Sequence, residues 1–188
     1  MALIDSVQQQ LGPNEINQIS QQLGISPGVA QSAVTAALPM ILAGMARHAQ
    51  QPDGATTLDQ AINAHSDVPN DAARVIAAGP PADASTGGGG LLGRILGSHR
   101  DTVTGGVQQA SGLDADKTKR LLLMLSPILL GILARRQFGG DGAAKSPGAL
   151  SGTLQQEAQS AAQNAAQNSP HVGGLLGKLL NAVEAPRT

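Results

Sequence analysis

The residues that could bind a metal ion are scattered along this 188-residue chain. It contains four histidines, at His48, His65, His99 and His171, and none has a second ligand three or four residues away, as helix-borne zinc pairs require. The closest approach to a ligand pair is His65 with Asp67, which a solvated loop explains far better than a metal site because His and Asp alone are weak evidence for ligation. The spacing therefore predicts no metal site.

Catalytic and phosphate-binding patterns are also missing. The glycine-rich stretch Gly87–Gly93 lacks the Lys-Ser/Thr ending of a phosphate loop, and no predicted strand precedes it, so it is interpreted as a linker. Serine, histidine and aspartate are all present, but their presence alone does not indicate a nucleophile. The chain has no cysteine, which excludes thiolate catalysis and disulfides. We predict a protein that is not an enzyme and that has no cofactor.

Nucleic-acid binding is the one recognition chemistry with a visible pattern. From Ile19 to Pro27 a helix ends at glycine, an apolar residue fills the turn and a capped helix follows, as in a helix-turn-helix. DNA would then meet four polar or small residues near its base edges. These are Gly28, Gln31, Ser32 and Thr35.

The DNA-binding alternative depends on basic residues that could contact the phosphates. No basic residue occurs from Met1 to Met45, so the electrostatic term that dominates affinity for DNA is absent there. Further along, Lys117, Lys119 and Arg120 stand at the start of a second such helix and are the candidate nucleic-acid contacts. The chain has one Phe, no Trp and no Tyr, which argues against stacking platforms for single strands.

The composition predicts an all-α fold. With a single aromatic residue the core must be built from Leu, Ile, Val, Ala and Met, and Leu, Ala and Gln favour helices over strands. The longest apolar run, Leu121–Ala134, would form a helix of about 21 Å, short of a hydrocarbon core of roughly 30 Å. The first residues lack a basic region and an apolar region of the secretory type. We therefore expect a cytoplasmic protein.

Charge is divided unevenly between the two halves. Residues 1–90 carry seven acidic and two basic residues, and residues 91–188 carry six acidic and ten basic residues. The division is consistent with solvated surfaces that contribute little. It is also consistent with an acidic half of one copy facing the basic half of another, because complementary fields steer association.

The chain repeats itself at an offset of 88 residues. Ile19–His48 aligns with Val107–Arg136 without a gap, and six of the thirty positions are identical. Gly24 and Gly112 are predicted to end a helix in the left-handed conformation, and Ser26 and Asp114 to cap the next. Asn14 is the predicted cap of an earlier helix.

The helix after each cap is predicted to be the core element. Apolar ridges run along both copies, so a central helix surrounded by others is expected. Pro39 and Pro127 interrupt the ridges and predict a kink or a break at Leu38-Pro39 and Ser126-Pro127. The ridges consist of Val29, Ala33, Ala37, Ile41, Met45, Val34, Leu38 and Leu42 in the first copy, and Leu121, Leu122, Leu125, Leu129, Leu130 and Leu133 in the second.

These signals divide the chain into predicted segments. They are a first helical repeat (1–78) with two further helices at 57–64 and 70–77, a Pro/Gly linker (79–90), the core of a second repeat (91–138), a loop (139–152), and an Ala/Gln-rich helix followed by an amphipathic leucine helix (153–188).

The end of the chain copies the start of the second repeat. Gly173–Leu180, with the sequence GGLLGKLL, nearly matches Gly89–Leu96, with the sequence GGLLGRIL. The candidate self-association residues are Leu175, Leu176, Leu179 and Leu180. This helix can dock on its own chain, which is the favoured alternative, or on a neighbour, which would build an oligomer. We expect the protein's partner to be a second copy of this chain or another protein. Both segments are amphipathic with one basic residue, so association with a membrane surface stays a further alternative.

Several of these motifs together resemble the YidB-like family of bacterial helical proteins, a domain-of-unknown-function family. They are the leading leucine helix, the segment Leu23–Ser26, the alanine-rich helix, Leu38-Pro39 with Leu42 and Gly44, and the Leu-Leu-Gly repeats at Gly90–Gly93 and Gly174–Gly177. The resemblance covers most of the chain. It implies a multihelical, duplicated, homeodomain-like fold and no catalytic residues.

Overall fold

The computed structural model describes residues 3–64, 72–79 and 90–139, together with residues 152, 154–161, 163 and 174. Every regular element within these residues is helical, which confirms the all-α prediction. The α-helices are α1 (Leu3–Gln10), α2 (Pro13–Leu23), α3 (Pro27–Ala49), α4 (Gly54–Ala64), α5 (Ala72–Ala77), α6 (Leu91–Leu96), α7 (Arg100–Ser111) and α8 (Ala115–Gly139). A 3₁₀ turn (Gly97–His99) joins α6 to α7, and residues 154–161 are also helical.

The two long helices lie at the centre of the fold. Every residue of α3 from Ala36 to Ala49 is buried, and so is every residue of α8 from Leu121 to Ala134. A helix that is apolar all round must be enclosed on all sides. α3 contacts α2, α4, α6, α7 and α8, and α8 also contacts α1 and α5. One continuous apolar cluster includes both helices, so the halves of the chain share a single core.

The membrane-spanning length criterion selects α3 and not the leucine-rich run of α8. Pro27–Ala49 is long and apolar enough to cross a bilayer by length and composition alone. However, 78% of its most apolar stretch is buried inside the molecule. The core helix of a globular fold meets the same criterion, and burial by neighbouring helices accounts for its composition.

Helix boundaries follow the 88-residue offset. α6 and α8 begin 88 residues after α1 and α3, and α7 ends 88 residues after α2. Gly24 and Gly112 both have left-handed backbone angles, with φ of 62° and 71°. Ser26 Oγ accepts a hydrogen bond from the Val29 amide at 3.4 Å, and Asp114 Oδ1 accepts one from Lys117 at 2.8 Å. The predicted caps are therefore confirmed at these four positions.

Three sequence predictions need correction. α2 begins at Pro13 with Gly12 as its N-cap, so Asn14 lies inside the first turn and caps nothing. Proline at the first position explains this, because its missing N–H needs no partner there. Val29 is 38% exposed and does not belong to the core ridge. α3 and α8 continue through Pro39 and Pro127, so of the predicted kink or break the break is wrong, and the kink stays a prediction.

The other helices agree with the sequence patterns where the structure describes them. α4 and α5 cover most of the two predicted helices between the copies. In the predicted Ala/Gln-rich helix, Leu154, Ala158 and Ala161 are buried on one face. Residues 80–89 of the predicted linker, residues 140–151 of the predicted loop and the C-terminal leucine helix lie outside the described residues.

The leading helix of each half packs on the long helix of the other half. α6 contacts α3 and buries Leu92, Ile95 and Leu96. α1 contacts α8, and Val7 is buried there with Leu11 just after the helix. At the first of these contacts, a Cβ atom on Gly44 would lie 2.7 Å from Leu96 Cδ2, which shows how closely α6 approaches α3. The two halves are therefore interlocked.

Candidate functional site

The basic residues at the start of α8 are positioned by the cap that begins the helix. The Asp114 carboxylate accepts the Lys117 amide and pairs with the Lys117 ammonium at 3.2 Å. The hydrogen bond from the Lys117 amide is the main reason that the pKa of Asp114 lies below its usual value. Lys119 and Arg120 are exposed. Of the three candidate contacts, two are therefore directed to solvent and the third is engaged with an adjacent acid.

The corresponding face of α3 is exposed but uncharged. Gly28, Gln31, Ser32 and Thr35 all lie on the surface, as the helix-turn-helix interpretation requires. The hydroxyl groups of Ser32 and Thr35 donate to carbonyl oxygens of their own helix, at 3.0 and 2.9 Å. In α8 the residues that follow Arg120 are buried from Leu121 onward, so the exposed face there is short.

One sequence motif escaped the analysis of catalytic patterns. Residues Gly24–Gly28 read G-I-S-P-G, which matches the G-x-S-x-G pattern of a nucleophile elbow. That motif needs a strand before the serine, whereas here Ser26 lies between α2 and α3 and its Oγ caps α3. Gly24 ends α2, and Gly28 lies in the first turn of α3. The pattern therefore describes a helix cap and not a nucleophile.

A polar cluster lies where the end of α3 meets α4 and the 3₁₀ turn. His48 is buried, and its Nδ1 lies 3.2 Å from Gln51 Oε1, while Gln51 Nε2 donates to Ser98 Oγ at 3.3 Å. Because an amide oxygen can only accept, Nδ1 of His48 is the donor in this pair. The other ring nitrogen, Nε2, is fully buried and has no hydrogen-bond partner among the residues that the structure describes.

Two further basic groups share this cluster. Burial lowers the pKa of the Arg47 guanidinium, although it remains charged at any ordinary pH. Burial also lowers the pKa of His99, and the nearby charges of Arg47 and His48 lower it further. The cluster therefore favours a neutral His99, as expected where an imidazole stands beside cations in a partly buried position.

Stability should rise with pH because of His99. The unfolded chain binds a proton at His99 near pH 6.5, and the folded chain binds it only at lower pH, so acidification favours unfolding. We expect the melting temperature to increase as the pH is raised towards about 6.5 and to level off above it, and His99→Gln to flatten that increase. Circular dichroism at 222 nm between pH 5 and 8 measures this, and an unchanged slope in the variant would contradict the assignment.

The described residues offer no catalytic arrangement at this cluster. Among them, no group of three or more His, Cys, Asp or Glu side chains is placed to hold a metal ion. His48 and His99 adjoin an arginine and amide or hydroxyl groups. The polar cluster instead connects the end of α3 and the loop after it with the 3₁₀ turn, which belong to different halves of the chain.

A shallow cleft opens at the corner between the end of α1, the start of α2 and the start of α3. It has a volume of about 270 Å³. Its apolar walls come from Leu11, Pro13, Ile16 and Pro27, and its polar walls from Asn17 and Gln31. No charged side chain lines it, so it is suited to a small apolar contact more than to an ionic ligand.

The four candidate self-association leucines, Leu175, Leu176, Leu179 and Leu180, lie outside the described residues. The related segment that the structure does describe is α6. There, Leu92, Ile95 and Leu96 are all buried against neighbouring helices.

The fold and these surfaces define a small all-helical protein organised around two buried long helices. Residues 5–136 match the family described as bacterial protein of unknown function (DUF937), and the chain belongs to that family. This is the YidB-like family that the sequence resembles. No curated protein and no solved structure matches the chain.

Proposed function

We propose that this protein is a non-enzymatic association module that binds a second copy of itself through its C-terminal leucine segment. The observation that carries the proposal is the burial of α6. The sequence GGLLGRIL forms a helix that buries Leu92, Ile95 and Leu96, and nearly the same sequence recurs at 173–180. A segment that packs on a long helix in its first occurrence is suited to do so in its second.

The organisation of the chain supports this proposal. We interpret the two halves as homologous, homeodomain-like units, because their helix boundaries and caps follow one offset. The C-terminal segment then has the sequence of the leading helix of a third unit. The acidic first half and the basic second half favour contact between unlike halves of two copies. Such a heterologous contact closes into a ring or continues as a filament. The cytoplasmic location stays a prediction.

The test is light scattering coupled to size-exclusion chromatography at low and high salt. We expect the wild-type chain to associate, and Leu176→Ser with Leu179→Ser to abolish association while far-UV circular dichroism stays unchanged. Loss of two buried leucines removes roughly 3–6 kcal/mol of apolar contact, more than most weak dimers can lose. Association at wild-type strength in the double variant would remove the C-terminal segment from the interface.

A second candidate function is DNA binding through the start of α8. It is favoured by the exposure of Lys119 and Arg120 just after the turn of a helix-turn-helix-like segment. The same chromatography, followed at 260 nm, tests it, because a chain without Trp or Tyr absorbs little there. Bound nucleic acid that is lost at high salt, and lost on charge reversal of Lys117, Lys119 and Arg120, would support this function.

A further inference from the structure

The position of α1 shows where a further leading helix could dock. α1 contacts α8, and Val7 is the buried residue among those of α1 with described side chains, followed by Leu11. Gln8 and Gln9 are exposed. Among the described side chains, α1 buries Val7 alone, whereas α6 buries Leu92, Ile95 and Leu96. By these side chains α1 is held by less apolar contact than α6, so α1 is the leading helix that is more readily displaced.

The C-terminal sequence has the apolar spacing of α1 over its full length. Leu175–Val183, with the sequence LLGKLLNAV, aligns with Leu3–Leu11, with the sequence LIDSVQQQL. Leu179 then falls on Val7 and Val183 on Leu11, the two residues of this stretch known to be buried. In the second half of the chain, His99 stands at the position of Leu11, beyond the end of α6. The apolar spacing of the C-terminal sequence therefore extends as far as that of α1 and Leu11.

Gly97 explains why the C-terminal segment cannot bind where α6 binds. This glycine ends α6 with φ of 55°, and a Cβ atom on it would lie 2.4 Å from Nδ1 of the buried His48 ring. The C-terminal segment has Asn181 at that position. In α1 the same position is Gln9, which is exposed and accepts any polar side chain. The C-terminal segment therefore fits the surface of α8 that α1 covers, and it does not fit the surface of α3 that α6 covers.

We propose that residues 174–183 of one copy dock on α8 of a second copy in the place that α1 occupies in the structure. This inference rests on the proposed self-association and names its docking surface. Exchange of equivalent elements between copies needs no new surface, because the receiving face already binds a helix of the same apolar pattern. The contact joins the end of one chain to the second half of another, so it is heterologous and can be repeated.

The experiment compares two neighbouring leucines in the full chain. Leu179 corresponds to the buried Val7, so Leu179→Gln should weaken association at least about tenfold, the loss expected for one buried aliphatic side chain. Leu180 corresponds to the exposed Gln8, so Leu180→Gln should change the dissociation constant by less than about threefold. Light scattering over a dilution series measures both constants, and circular dichroism verifies that each variant is folded.

Each outcome decides between the alternatives. Equal weakening by both variants would mean that Leu180 is buried as Leu96 is, which overturns docking in the place of α1 and leaves self-association standing. A wild-type chain that is monomeric at every concentration would overturn both. A monomer whose melting temperature falls in Leu179→Gln would place the segment on its own chain, which also overturns the proposal.

A change in α1 itself provides a second measurement. Val7→Ala weakens the hold of α1 on α8, so it should free the receiving face and tighten association by about threefold or more. Gln8→Ala, at the exposed neighbouring position, is the matched control and should leave association unchanged. Association that does not respond to Val7→Ala would show that α1 and the C-terminal segment do not compete for one place.

Discussion

Gly54→Ala should lower the stability of the folded chain by roughly 3 kcal/mol, at the upper end of the cost of overpacking. Gly54 begins α4, and a Cβ atom on it would lie 1.7 Å from the backbone oxygen of His48 and 2.6 Å from its carbonyl carbon. The obstacle is backbone at the buried C-terminal end of α3, so it cannot rotate away as a side chain would. α4 must move away from α3 for the variant to fold.

Gly28→Ala is the matched control. Gly28 also lies in the first turn of a helix, and no atom stands within 4 Å of its added Cβ. Its effect should stay within about 0.5 kcal/mol, the usual range of a surface substitution. Thermal unfolding followed at 222 nm should place the Gly54 variant roughly 6–12 °C below wild type. Equal melting temperatures of the two variants would show that α4 approaches α3 less closely than described.

Ile41→Ala should lower the free energy of unfolding by about 2–5 kcal/mol and should do so in one transition. Ile41 is fully buried in α3, which packs on helices of both halves of the chain. The side chains around it are already held on all sides, so little collapse can fill the cavity. Because the halves share one apolar cluster, loss of packing at this point weakens both together.

Val29→Ala controls for the change of residue type on the same helix. Val29 is the exposed apolar residue of α3, and its truncation should cost no more than about 0.5 kcal/mol. Urea unfolding followed by circular dichroism gives both values, with one midpoint in each case. A second transition in the Ile41 variant would contradict the shared core and would indicate halves that unfold separately.

The sequence predicts the helices and their ends because those depend on local chemistry. Glycine at the left-handed position, with Ser26 or Asp114 after it, places a helix boundary whatever surrounds it. The core ridges are predicted for the same reason, since apolar spacing survives in any tertiary context. Val29 is the exception, because it stands in the first turn of α3 where no neighbouring helix covers it.

Contacts between distant residues could not be predicted in this way. Nothing in the residue types indicates that α6 lies on α3 and α1 on α8, because periodicity identifies an apolar face and not its partner. The cluster of Arg47, His48 and His99 was missed for the same reason, since His48 and His99 are far apart in sequence. In the sequence, the close approach of Gly97 to His48 is visible only as a glycine whose role is unexplained. Continuation of α3 through Pro39 depended on burial from all sides, which holds the helix together.

The interlocked packing has a consequence for synthesis of the chain. α3 is completed at Ala49, yet α7, one of the helices that cover it, is completed only at Ser111. At about 5–20 residues per second, the roughly 60 intervening residues take about 3–12 s to be made. Throughout that interval the apolar stretch from Ala36 to Ala49 lacks the complete α7, and for most of it α6, which ends at Leu96, is missing as well. The nascent first half is therefore the stage at which this protein is most exposed to aggregation and most dependent on chaperones.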